Sequence, residues 1–336
     1  MSRGNMKIAV LGDGSWGTAL ALNLFRNGHH VTLWGRSPEH MEAIHRDGEN
    51  KRFLPGVPFP QEICTTSDIA QAVSGCEMLV IGTPSQYMRG TLEKLKPHID
   101  NRNQIIVNIA KGIETGSLLR MSELCREILG DVRYTVLSGP SHAEEVSRGV
   151  PTLVVAASEN MKDAKKVQKA FLNERFRVYT SKDVIGVELG GALKNVFAIA
   201  AGIIDGIGLG DNSKAALMTR GCAELSRLGV KLGGQRRTFS GLGGIGDLIV
   251  TCMSRHSRNR HVGEELGKGR KLPEIIESMN NMVAEGVKTC ESAKMLAEKA
   301  GVETPLVNGV YDVLFRERPP QEIIYELMTR KAKAEL

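Results

Sequence analysis

Lys7-Ile8-Ala9-Val10-Leu11-Gly12-Asp13-Gly14-Ser15-Trp16-Gly17-Thr18-Ala19 decides how the rest of this chain reads. A short apolar run passes directly into G-x-G-x-x-G, and an amphipathic helical pattern follows, so the spacing predicts a strand, a tight turn and a helix. Gly12 permits the turn, Gly14 lets backbone approach a pyrophosphate, and Gly17 lets helix and strand pack closely. The helix start then offers unpaired N–H groups to the anion. A glycine-rich turn that binds nothing fits the same letters, but the N-terminal position and the strands that follow favour a dinucleotide.

Further β-rich runs occur at Val31 to Trp34, Met78 to Thr83, Gln104 to Ile109, Tyr134 to Leu137, Thr152 to Ala156 and Arg177 to Tyr179. Helix-like stretches separate them, and this alternation predicts an α/β fold with a doubly wound, mostly parallel sheet. After Ser181 the pattern changes to long helical periods at Val184 to Ile204, Ser213 to Leu228, Leu272 to Asn280, Thr289 to Ala300 and Gln321 to Lys333. That shift places a domain boundary near residue 185, with 1–185 binding a dinucleotide and 186–336 forming an all-helical domain for substrate and catalysis.

The chain has 336 residues, enough for two self-sufficient cores, and its 37 glycines are roughly 11% against a usual 7% or so. An aromatic content of 4% argues against stacking platforms for nucleic acid. The net charge of +6 is scattered, with no long block of like sign, which favours a small anionic ligand over a polyanion. Six cysteines without a C-x-x-C pair fit reduced thiols in the cytoplasm better than disulfides or zinc, and no metal is expected. The longest apolar run, Val196 to Ile204, is far shorter than the roughly 20 residues a bilayer span needs, and the polar start lacks a signal-peptide core. Neither an integral membrane segment nor secretion by that route is expected.

At the end of the second strand the ribose reader should stand, and the sequence there is Leu33-Trp34-Gly35-Arg36. It holds no carboxylate. Arg36 pairs with a 2′-phosphate, which favours NADPH over NADH; a solvated loop arginine is the alternative, and Glu39 leaves room for NAD. Lys111 follows the fourth of these strands, where open α/β sheets bind ligands, and Ser138-Gly139-Pro140-Ser141-His142-Ala143 forms a small-residue turn after the fifth. Lys194 shares its helical face with Gly190, Gly191, Ala198 and Ala201, which leaves room for a substrate. A desolvated lysine there has a lowered pKa suited to giving a proton to a carbonyl oxygen; a snorkelling lysine is the plainer reading. Asp247 opens a helix after a glycine-rich turn, as a cap or as a partner for chemistry. The run Ser254 to His261 groups cations and donors without aromatics, so it suits a phosphate monoester or a solvated basic loop. His256 and His261 are spaced wrongly for helical zinc ligands.

These pieces, in this order, resemble the bacterial-type NAD(P)-dependent glycerol-3-phosphate dehydrogenases from Lys7 to about Met328. The resemblance rests on the first glycine motif, Ala110-Lys111-Gly112, Ser138-Gly139-Pro140-Ser141, Leu193-Lys194-Asn195, Gly243-Gly244-Ile245-Gly246-Asp247 and Ser257-Arg258-Asn259. It implies an N-terminal Rossmann domain, a helical C-terminal domain of the phosphogluconate dehydrogenase type, and reversible reduction of dihydroxyacetone phosphate to sn-glycerol 3-phosphate for glycerophospholipid synthesis. It also implies a homodimer.

Carried over by position, the family pattern assigns Ser15, Trp16, Arg36, Lys111, Ala143, Arg258, Val283 and Glu285 to the cofactor. Substrate contacts fall on Lys111, Gly139, Ser141, Lys194, Asp247, Ser257, Arg258 and Asn259, with Lys194 transferring the proton. Asn195 and Thr251 look like supporting members. Two residues depart from the family pattern: Asp13 replaces a small uncharged residue, and Phe53 replaces a common tyrosine. Both bear on cofactor affinity. A related dehydrogenase acting on a carboxylate such as ketopantoate, a dinucleotide-sensing regulator and a nucleic-acid binder are the rival functions.

Overall fold

The computed structural model describes residues 5–279, 282–332, 334 and 335. Asn280 and Lys333, where two of the expected helices end, lie outside the described residues. Eight strands form one sheet in the order β3-β2-β1-β4-β5-β6-β7-β8. They are β1 (Lys7–Leu11), β2 (His30–Trp34), β3 (Cys64–Thr66), β4 (Met78–Ile81), β5 (Ile105–Asn108), β6 (Arg133–Ser138), β7 (Thr152–Ala157) and β8 (Phe176–Ser181). Helices α1 (Ser15–Arg26), α2 (Pro38–Asp47), α3 (Ile69–Val73), α4 (Met88–Leu95), α5 (Met121–Leu129), α6 (Ala143–Ser147) and α7 (Met161–Phe171) connect them. Apolar cores lie on both faces, which explains why β4 and β5 read as unbroken apolar runs rather than alternating ones.

All pairings are parallel except β6 with β7. The connection between those two, residues 139–151, contains no helix but the five-residue α6, and the chain re-enters the sheet from the end it left rather than crossing over along a full-length helix. β3 was not expected: it is a three-residue edge strand, Cys64-Thr65-Thr66, with no apolar run to announce it.

From residue 184 onward the described chain is helical: α8 (Val184–Ile207), α9 (Gly210–Lys231), α10 (Arg236–Phe239), a π-turn at Leu242–Gly246, α11 (Asp247–Met253), α12 (Arg258–Gly267), α13 (Leu272–Ser278), α14 (Glu285–Ala300), α15 (Pro305–Phe315) and α16 (Pro320–Met328). Helix α8 starts at Asp183, whose carboxylate accepts the Gly186 N–H at 2.9 Å, and ends at Gly208 in the left-handed region. Of the described helices it alone is long and apolar enough to cross a bilayer, and 89% of its most apolar window is buried inside the fold. Its continuous hydrophobicity is that of a central helix covered on all sides. Helix α12 lies against it backbone to backbone, because a Cβ on Gly202 would collide with the Arg260 carbonyl and one on Gly263 with the Ile199 carbonyl.

The helices are tied to the sheet through Glu188 of α8. Its carboxylate accepts from Arg120 Nη1 at 2.7 Å, the Ser122 N–H at 2.8 Å and the Tyr134 hydroxyl at 2.6 Å. Removing Glu188 would take the acceptor away from three donors and leave the half-buried Arg120 only Glu123 as its ion-pair partner, so this contact fixes how α8 meets the strand ends.

Candidate active site

Three charged side chains from three separate elements converge at the carboxyl ends of β5 and β6. Lys194, on the buried face of α8, donates to Asp247 Oδ1 and to Thr251 Oγ1, the latter at 2.7 Å. Lys111, just beyond β5, donates to Asp247 Oδ2 at 2.7 Å and to the Gly139 carbonyl at 2.9 Å. Asp247 is fully enclosed at the first turn of α11, and Thr251 lies one turn later on the same face.

One carboxylate thus faces two ammonium groups. Burial alone pushes Asp247 upward, but the charges of Lys111 and Lys194 outweigh it and hold the carboxyl below its usual value. Burial is also the largest influence on Lys194 and brings its pKa down to about 8, against the opposing pull of Asp247. Each ammonium has three donors, of which the protein takes two, leaving one N–H on each lysine for a ligand oxygen.

Around this cluster, Ser141 donates to the Gly139 carbonyl at 2.9 Å, and Ala143 is buried at the start of α6. Ser257 is the N-cap of α12: its hydroxyl accepts the Arg260 N–H at 3.2 Å, while the first-turn N–H groups of Arg258 and Asn259 have no intrahelical acceptor. Helix α12 therefore begins inside the Ser254 to His261 run, for which the sequence suggests a phosphate site or a solvated basic loop but no helix. Burial lowers the Arg258 guanidinium from its ordinary value, and its Nη2 donates to Ser15 Oγ at 2.9 Å.

Two asparagines link these pieces. Asn195 donates to the Lys111 carbonyl at 3.0 Å and accepts from Asn259 Nδ2 at 2.9 Å, and Asn259 Oδ1 accepts the Gly286 N–H at 2.9 Å. Sequence reasoning named both residues but not this use of the Asn259 carboxamide. Glu285, next to Gly286, accepts the Ser85 N–H at 2.8 Å, and burial pushes its carboxyl above the usual range. Val283 is half-buried in the segment leading to α14.

At the glycine turn, a Cβ on Gly12 would lie 2.7 Å from the Gly82 carbonyl carbon, one on Gly17 would collide with the Gly12 carbonyl, and one on Gly14 would meet open space. No side chain caps α1. Trp16 is half-buried with its ring centroid 6.5 Å from that of Phe176, and its Nε1 has no hydrogen-bond partner. Arg36 is exposed past the end of β2. Among the described residues no group of three or more His, Cys, Asp or Glu side chains converges to hold a metal. A cleft of about 460 Å³ lined by Pro38, Met41, Glu42, His45 and Cys64 lies at the β3 edge, apart from the lysine cluster.

Comparison with known families matches residues 7–164 to the profile of the NAD-dependent glycerol-3-phosphate dehydrogenase N-terminus and residues 183–325 to that of its C-terminus. The chain belongs to the NAD-dependent glycerol-3-phosphate dehydrogenase family. A curated relative in this family, glycerol-3-phosphate dehydrogenase (NAD(P)+) of Carboxydothermus hydrogenoformans, is 51% identical over 335 residues, covering 99% of each chain. The enzyme of the same name from Thermoanaerobacter sp. is 53% identical over 331 residues, 98% of this chain and 99% of that one. The crystal structure of glycerol-3-phosphate dehydrogenase from Coxiella burnetii superimposes with a TM-score of 0.93 at 40% identity, covering 97% of this chain and 99% of that one.

Proposed function

We propose that this chain catalyses the reversible, NAD(P)H-dependent reduction of dihydroxyacetone phosphate to sn-glycerol 3-phosphate. The observation that carries this reading is the enclosed cluster of Lys111, Asp247 and Lys194, in which each lysine keeps one N–H for a ligand oxygen. Lys194 is the proton donor to the substrate carbonyl oxygen. With a pKa near 8 it is charged at neutral pH yet close enough to that pH to give its proton up and regain it. Asp247 and Thr251 aim the ammonium, and Lys111 steadies the developing alkoxide from the other oxygen of the same carboxylate.

The phosphate belongs at the start of α12, on the Ser257 hydroxyl, the Arg258 guanidinium and the free N–H groups of Arg258 and Asn259. Gly139 and Ser141 close the substrate side. Anchoring the remote phosphate lets its binding energy hold the small ketone in line.

The residues present fit a nicotinamide dinucleotide. Open space at Gly14 and an uncapped α1 suit the pyrophosphate, and we assign Gly12, Gly17, Ser15, Trp16, Lys111, Ala143, Arg258, Val283 and Glu285 to the rest of the cofactor. When bound, that cofactor exchanges a hydride with the carbonyl carbon. The exposed Arg36 supports a preference for NADPH over NADH.

We further assign residues 1–185 to cofactor binding and 186–336 to substrate and catalysis, in a cytoplasmic homodimer whose product enters glycerophospholipid synthesis. Six free cysteines support that compartment. The test is NADPH consumption with dihydroxyacetone phosphate, beside NADH, phosphate-free dihydroxyacetone and ketopantoate. Phosphate-dependent turnover is expected; turnover of ketopantoate alone, or of nothing, would overturn the assignment.

A further inference from the structure

The residue at the end of β2 ordinarily reads the adenosine ribose of a dinucleotide. Here that place is Gly35, which has no side chain to do it. The structure fills the gap from a neighbouring segment. A Cβ built on Gly35 would lie 2.6 Å from Met41 Cε, 2.7 Å from Asp13 Cγ and 2.8 Å from Asp13 Oδ2, so the Asp13 carboxylate, with the Met41 methyl beside it, occupies the volume that a side chain at position 35 would take.

That placement is set by the backbone. The Gly12 N–H donates to the Trp34 carbonyl at 2.9 Å, lacing the glycine turn to the end of β2. The Asp13 carbonyl accepts from Asn50 Nδ2 at 2.8 Å and Thr18 Oγ1 at 3.2 Å, which points the other side of the residue toward Gly35. The groups facing the carboxylate are His40 of α2, whose Nε2 is 3.6 Å from Oδ2, with Arg52 and Arg36 farther away. Among the described residues no side chain donates a hydrogen bond to the carboxylate, and the buried His40 Nε2 makes no hydrogen bond, only the longer ion-pair contact with Asp13. Burial raises the Asp13 pKa, and a hydrogen bond from its own backbone N–H, then the charges of His40, Arg52 and Arg36, pull it back. A half-buried carboxylate with no side-chain donor, facing a buried ring nitrogen at 3.6 Å that makes no hydrogen bond, leaves acceptor capacity that a hydroxyl-bearing ligand would satisfy.

We propose that Asp13 is the ribose reader of this chain, accepting a hydrogen bond from the 2′-hydroxyl of NADH from within the glycine turn. Arg36, exposed past the end of β2 and close enough to act on the Asp13 carboxylate, takes the 2′-phosphate of NADPH. The two side chains therefore set the NADH to NADPH ratio in opposite directions: the carboxylate attracts the hydroxyl and repels the phosphate, and the guanidinium does the reverse. This rests on the reading that the glycine turn holds a nicotinamide dinucleotide.

The test is the fluorescence titration of NADH and NADPH into the full chain without substrate. Asp13→Asn keeps the shape and removes the charge; it should weaken NADH about tenfold and leave NADPH as tight as before or tighter. Arg36→Ala should weaken NADPH and spare NADH. If Asp13→Asn shifts both cofactors by the same factor, or neither by more than about twofold, Asp13 is not the reader. Should Asp13→Asn melt well below the parent, Asp13→Ser provides the same comparison with a small neutral side chain. A parent chain that binds neither dinucleotide would instead remove the cofactor reading itself, an outcome separate from a null effect of the variants.

Discussion

Asn259 donates its carboxamide N–H to the carboxamide oxygen of Asn195 across 2.9 Å. The polarity of this bond is fixed at its two ends, since the Gly286 N–H can only donate and the Lys111 carbonyl can only accept. The Asn259 carboxamide is thereby occupied and holds α8, α12 and α14 in register. Asn259→Ala should lower kcat/KM about tenfold for both dihydroxyacetone phosphate and phosphate-free dihydroxyacetone. Steady-state kinetics on the pair checks this: a loss confined to the phosphorylated substrate would make the side chain a phosphate ligand instead.

Lys194→Ala removes the proton donor but leaves the glycine turn untouched. Turnover should drop by roughly 10²–10⁴, the usual worth of a positioned acid, while the NADPH dissociation constant stays within about twofold. Near-normal turnover in this variant would take Lys194 out of the chemistry.

The pH dependence follows from the same lysine. Its pKa is depressed to about 8, mainly by burial, so the ammonium needed for ketone reduction is present below that value and is lost as pH rises through it. Reduction should therefore slow above about pH 8, and alcohol oxidation, which needs the free amine, should accelerate over the same range. Profiles of kcat in both directions that rise and fall together would contradict this assignment.

Arg258 reaches from the phosphate end of α12 to the Ser15 hydroxyl. Arg258→Ala should raise KM for dihydroxyacetone phosphate by roughly 10–100-fold, in line with the loss of a charged hydrogen bond. At saturating NADPH, which removes the share of Arg258 in cofactor binding, it should leave the rate with phosphate-free dihydroxyacetone little changed, and the ratio of the two kcat/KM values is the measurement.

Gly263→Ala introduces a methyl group against the Ile199 carbonyl, where the α8 and α12 backbones touch. Overpacking of this kind costs roughly 1–3 kcal/mol, which a urea unfolding curve resolves. An unchanged midpoint would mean that the two helices separate without penalty.

What the sequence made legible follows from physical signal strength. Strands β1, β4 and β5 are buried on both faces and declare themselves as apolar runs, and α8 declares itself by length. β3 has three half-polar residues and is a strand only because β2 offers it an edge. The reversal of β7 is a matter of strand pairing, which composition does not carry. Helix α12 went unread as a helix because its buried residues, Asn259, Val262, Gly263 and Leu266, include only two large apolar side chains; Ser257 before it was an unread N-cap signal. Lys111, Lys194 and Asp247 could be nominated singly from their places on strand and helix ends. Their sharing of one carboxylate needed coordinates, as did the approach of Asp13 to Gly35, since the contacts join segments far apart in the chain.

Helix α8 also has a consequence for the order in which the protein is made. It is complete at residue 207, whereas α12 and α14, which cover it, begin only at residues 258 and 285. At roughly 5–20 residues per second, a ribosome leaves a bilayer-length apolar helix without its cover for several seconds. During that interval the nascent chain is most exposed to aggregation and most in need of a chaperone, and a chain cut short between 207 and 258 would carry that exposed surface permanently.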